Sequence, residues 1–140
     1  MTRLKIEDYP LAETRPGDVR GRRGLSLDDI TLDAVLAGDV TMEDLRITPG
    51  ALRDQAEIAR AAGRSTLARN FERAAELVEV PQDLVMETYE LLRPGRAKSK
   101  QEILDRAELF RSEYSAPGIA SFLEEAAEAY DRRGLFTFRF

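Results

Sequence analysis

Three adjacent acid pairs, Asp28-Asp29, Glu43-Asp44 and Glu124-Glu125, are the side chains in this sequence best suited to proton chemistry. Two carboxylates can divide acid and base roles when their surroundings push their pKa values apart. Sequence neighbours on a helix, however, point about a third of a turn apart and do not converge on one reacting atom. The first two pairs also stand beside expected helix starts, where negative charge complements the helix dipole. A structural role is therefore the expectation for all three. Arg69, Glu72, Arg73 and Glu76 alternate in sign at helical spacing, the pattern of solvent-facing pairs or of bridges to another chain. Asn70 is an unusual mid-helix residue, since its amide competes with the backbone. Gly21 and Gly24 flank two arginines, but nothing there matches a phosphate-binding loop.

The chain contains no histidine and no cysteine. This excludes disulfides, thiolate nucleophiles, Cys/His zinc sites and any Ser-His-Asp arrangement within it. It also removes the side chain that most often moves protons near neutral pH. Any catalysis here would have to rest on Asp, Glu, Lys, Tyr or Arg, or else another chain does the chemistry; no catalytic, cofactor-binding or metal-binding residue is assigned. The net charge of −5 argues against a nucleic-acid binder, which would show a basic face. The basic run Arg15, Arg20, Arg22 and Arg23 lacks the interleaved aromatics that stack bases. No apolar run approaches a membrane span, and the N-terminus does not read as a secretory signal. A cytosolic location without membrane attachment is the expectation.

The 140 residues, 43% hydrophobic and 34% charged, suit one domain of modest core. Residues 1–24 carry three glycines and two prolines and show no periodicity, which predicts an extended N-terminal arm. Residues 25–140 read as a helical domain. Thr31 precedes a short helix stopped by Gly38, and Thr41 with Asp44 approaches a capping box. Thr48-Pro49 opens a helix that runs to Gly63. Ser65 is expected to cap the next, on which Leu67, Phe71, Ala74 and Val78 share a face; Leu84, Thr88, Leu91 and Leu92 do so after Pro81. Ser99 and Glu102 form a second box, and a last helix opens near Pro117 and closes at Gly134, before a short apolar–polar tail. The fold expectation is all-α, an open up-and-down bundle with an extended N-terminal arm. Its core is thin, rich in alanine, with Phe71, Tyr89, Phe110, Phe122 and Tyr130, and leaves an apolar face for a partner.

Within the central helices stand ARNFERAAEL at 68–77, then P-x-D at 81–83 and Y-x-x-L-R-P at 89–94. DYPLA occupies 8–12, LDDITLDAVLAGDVT 27–41, DLRITPGALRDQAEIARAAGR 44–64 and SKQEIL 99–104. In this wording and order the chain resembles the small subunit of the adenosylcobalamin-dependent diol and glycerol dehydratases, over nearly its whole length. The resemblance implies a hetero-oligomer of large, medium and small subunits, two copies of each. It also implies radical dehydration of a vicinal diol or glycerol to an aldehyde, in which the cofactor does the hard step. In that family substrate, metal ion and radical chemistry belong to the large subunit, and cobalamin lies between the large and medium subunits. No family catalytic residue carries over to a position here. The stretch before Asp8 is shorter than the N-terminal extension of some diol dehydratase small subunits. Packaging in a bacterial microcompartment is therefore not carried over by the resemblance alone, and the FTFRF ending differs from the lysine-rich tail the family suggests.

Two other readings compete with a non-catalytic dehydratase subunit. One is a stand-alone helical protein-interaction module; the other is a DNA-binding pair of helices across Gly63, which the acidic balance disfavours. The expected partner contact is Asp8, Tyr9, Pro10 and Leu11. Tyr9 and Leu11 are costly to leave exposed in a segment with no helix to join, and aromatics anchor interfaces. The alternative is that the arm folds back on its own helices.

Overall fold

Helix boundaries in this protein follow local capping chemistry closely. The computed structural model describes residues 3–136. Its helices are, in order, α1 (Leu11–Thr14), α2 (Leu32–Ala37), α3 (Met42–Leu45), α4 (Pro49–Ala61), α5 (Ser65–Leu77), α6 (Gln82–Leu92), α7 (Lys100–Glu113) and α8 (Pro117–Arg132). Single 3-10 turns lie at Ile6–Asp8, Pro16–Asp18 and Leu27–Asp29. The one β feature among the described residues is an isolated bridge between Arg20 and Ser26. The all-α expectation holds. The chain forms two compact units, Met1–Val78 and Glu79–Phe140.

In the first unit, Thr48 Oγ1 accepts from the Ala51 amide at 3.1 Å and Pro49 occupies the first turn of α4. Gly63 adopts φ +74°, the left-handed conformation that ends a helix at least cost for glycine. The Arg64 amide then donates to the Ala59 carbonyl at 2.8 Å. That bond keeps the chain turning, so α5 starts at once. Ser65 is thus the first helical residue and not the cap expected of it; the cap position is Arg64, which makes no side-chain cap bond. Across the hairpin α4–α5, Ala56, Ala59 and Ala68 form the buried contact, with Leu67 and Phe71 partly buried against it. Glu72 of the charge lattice pairs with Arg60 of α4 at 2.6 Å, both half-exposed. Asn70 is exposed.

The second unit is built around α7–α8. Ser99 and Glu102 close the expected capping box, and Pro117 starts α8. Ile103, Phe110 and Leu123 are fully buried, joined by Ala107, Ala116, Ala120 and Ala127. Arg111 reaches Glu124 at 2.8 Å and Lys100 reaches Glu128 at 2.6 Å, tying the hairpin along its length. Thr88 of α6, buried, donates to the Leu84 carbonyl at 2.7 Å and accepts from Arg106 of α7 at 2.8 Å. The Tyr130 hydroxyl donates to the Leu92 carbonyl. Two residues assigned to the core by periodicity lie outside it: Tyr89 is 61% exposed and Phe122 41%. Periodicity locates a helix face but not whether anything covers it. The C-terminal tail beyond residue 136 lies outside the described residues.

Candidate functional site

Residues 3–24 are shaped by short-range polar contacts. Asp8 accepts from the Lys5 amide at 2.7 Å and from Arg15, through Nε at 2.9 Å and Nη2 at 2.8 Å. These bonds, the Lys5 amide first, hold its carboxyl below the usual range, against partial desolvation. Thr14 donates to the Asp8 carbonyl. The Tyr9–Pro10 bond is cis. The result is a knuckle of short turns rather than a featureless extended arm. It is laid on α4: Leu4 is buried, its amide donates to Glu57 Oε2 at 3.0 Å, and the Ile6–Asp8 turn packs on α4.

Of the four residues expected to meet a partner, Asp8 is turned inward to organise this knuckle. Tyr9 projects outward, 68% exposed. Pro10 and Leu11 are half-buried. Tyr9 stands at the junction of two open grooves on α4. One, of about 370 Å³, is lined by Ile6, Ile58, Leu67 and Phe71 among others. The other, of about 330 Å³, runs under Tyr9, Pro10 and Leu11 and includes Asp54. Burial, then Glu57 and Asp18, raises the pKa of Asp54. The grooves are mostly apolar and of the size that admits a side chain or small ligand. Among the described residues no group of three or more His, Cys, Asp or Glu is placed to hold a metal ion. Among the same residues no helix is long and apolar enough to cross a membrane.

The acid pairs serve the backbone and ion pairs. Asp29 accepts from the Ser26 amide and hydroxyl at 2.8 and 2.7 Å. Asp44, nearly fully buried, accepts from the Thr41 amide at 2.8 Å and from Arg23 Nε at 2.8 Å. A second Arg23–Asp44 contact, through Nη2, completes a bidentate pair, and the same nitrogen donates to the Asp39 carbonyl at 2.8 Å. The Arg23 pair, with the Thr41 amide, draws the Asp44 pKa down to about 2. Gly21 is needed here: a Cβ would stand 3.0 Å from the Asp44 carbonyl oxygen. Glu124 is lowered by Arg111.

Sequence reasoning missed one surface. Leu32, Val35 and Leu36 of α2, Met42 and Leu45 of α3, and the neighbouring Leu27 and Ile47 are all exposed. Their spacing is that of an ordinary core face. The available signal was length: a six-residue helix ending at Gly38 has too little chain on either side to bury it.

A family model described as dehydratase small subunit matches residues 4–137. The propanediol dehydratase small subunit of Citrobacter freundii is 49% identical over 129 residues, covering 92% of this chain and 74% of that one. The propanediol dehydratase small subunit of Salmonella typhimurium strain LT2 has the same identity and coverage.

Proposed function

The chain belongs to the dehydratase small-subunit family, and from that premise we propose that it is the small, non-catalytic subunit of a propanediol-type diol dehydratase. The observation that carries this reading is the 49% identity to propanediol dehydratase small subunits over nine-tenths of the chain. The enzyme is a hydro-lyase of a cobalamin-dependent family and acts as a complex of subunits. In our reading large and medium subunits, two copies of each with two of this chain, hold adenosylcobalamin between them. The cofactor, when bound there, supplies the radical chemistry that turns a vicinal diol into an aldehyde and water. This chain contributes scaffold: Asp29 and Glu102 serve helix starts, Asp44 and Glu124 pair with arginines, and its grooves are mostly apolar. The N-terminal arm, with Leu4 and the Ile6–Asp8 turn laid on α4, offers Tyr9, Pro10 and Leu11 to a partner, and Asp8 fixes their presentation. The enzyme works in the cytoplasm, free or packaged in a bacterial microcompartment.

Reconstitution tests the reading. The purified chain, supplied with adenosylcobalamin and 1,2-propanediol, should form no aldehyde above a cofactor-only control. Mixed with the large and medium subunits, it should co-elute with them in the active complex. Aldehyde formation by the single chain, or failure to enter the complex, would overturn the assignment.

A further inference from the structure

Helix α2 buries none of its six residues, yet it carries the most exposed large apolar side chains of the molecule among the described residues. Leu32 is 73% exposed and Leu36 77%, with Val35 one turn from Leu32; Met42 of α3 follows at 69%. So short a helix is not stable by propensity alone. It is nevertheless fixed in place. Thr31 Oγ1 accepts from the Ala34 amide at 3.1 Å, Gly38 ends the helix at φ +81°, Val40 is buried, and Asp44 is clamped by Arg23. The segment is pinned at both ends and presents its apolar stripe to solvent, the arrangement that lowers the ordering cost of binding.

Charge specifies what covers it. Residues 27–47 hold six acids and one arginine, a net charge of −5 that accounts for the whole charge of the chain; elsewhere twenty acids face twenty bases. Within this segment Asp44 is matched by Arg23, Glu43 by Arg46 at 3.1 Å and Arg22 at 3.9 Å, and Asp29 accepts from the Ser26 amide. Asp28, Asp33 and Asp39 are exposed and none of them has an ion-pair partner among the described residues. They flank Leu32, Val35 and Leu36 in sequence. An apolar centre with an acidic border calls for the complementary surface.

We propose that the α2–α3 face docks this chain onto another subunit of the dehydratase, on an apolar surface of that subunit bordered by lysine or arginine. The inference rests on the subunit reading and adds the place and chemistry of the contact. The apolar stripe supplies the contact that resists dissociation. The aspartates steer association and set the partner, and their contribution is screened by salt.

Binding of the full chain to the purified large and medium subunits, followed against ionic strength, tests this. Leu32→Ser/Leu36→Ser should weaken binding at least tenfold, with the helical signal and melting midpoint of the isolated chain unchanged. Asp28→Asn/Asp33→Asn/Asp39→Asn should slow association severalfold at low salt and flatten its salt dependence. Ile6→Ser/Tyr9→Ala serves as the comparison. If only that variant loses binding, and the Leu32/Leu36 variant stays within twofold of the parent, the inference fails while the subunit reading stands. If the parent chain dimerises alone and the Leu32/Leu36 change makes it monomeric, a second copy covers the face and the inference is again overturned. If the parent binds neither subunit, the subunit reading falls and the inference with it.

Discussion

Hairpin α7–α8 closes on Ile103, Phe110 and Leu123, each at most 1% exposed, whereas hairpin α4–α5 closes on alanines, with Phe71 half-buried at the rim of a groove. The two hairpins have similar helix lengths and three-residue turns. They differ in what fills the seam and in what surrounds it. Ion pairs Arg111–Glu124 and Lys100–Glu128 run along the second hairpin; Arg60–Glu72 spans the first. Among the described residues, nine of the twelve exposed large apolar side chains belong to the first unit. Alanine seams let helices approach closely but remove little area from water per residue. The second unit fills its seam with larger side chains. In the proposed reading, the apolar surface of the first meets another subunit.

The largest expected effect separates the two seams. Phe110→Ala should destabilise the isolated chain by about 3–5 kcal/mol, the cost of emptying a fully buried aromatic site. Phe71→Ala should cost about half as much, because its ring is already partly in solvent. Urea unfolding followed by circular dichroism gives both values, and equal losses would erase the distinction.

Acid titration sharpens it next. Asp44 has a folded pKa of about 2 against an ordinary 3.8. Its ionised form therefore stabilises the fold fully above about pH 4, and that contribution is lost as pH falls toward 2. Asp44→Asn should flatten the stability profile across this window. Glu124 acts in the same sense through Arg111, so Glu124→Gln should flatten the second unit's acid limb, by less. Stability measured from pH 5 to pH 2 decides; an unchanged profile in Asp44→Asn would show that the Arg23 pair contributes nothing to folding.

The smallest effect concerns helix starts. Ser99→Ala removes a working capping box and should cost about 1 kcal/mol. Ser65→Ala removes a serine that caps nothing and should change stability by no more than a few tenths. Thermal melts of the two variants side by side are sufficient.

Much of the scaffold was legible because its signals are local. Thr48-Pro49, Gly63, Ser99 with Glu102, and Pro117 each act on backbone groups within four residues, and each boundary lies where that chemistry puts it. Ser65 was misread because a bond from Arg64 to Ala59, invisible in sequence, decides where α5 begins. Tyr89 and Phe122 share helical spacing with true core residues, and spacing alone does not give their exposure of 61% and 41%. The Arg23–Asp44 clamp joins residues 21 apart in sequence, across α2 and into α3, and no local pattern announces it. The exposed α2 stripe escaped for the opposite reason: its pattern is that of a core helix, and only the third dimension shows nothing packed upon it.

Hydrogen exchange of the chain alone and within the assembled dehydratase tests the central claim most directly. Amides of residues 32–47 should exchange readily in the isolated chain and become strongly protected on assembly. Those of residues 103–127, already slow, should change little. Protection confined to α7–α8, with residues 32–47 exchanging equally fast in both states, would contradict the account.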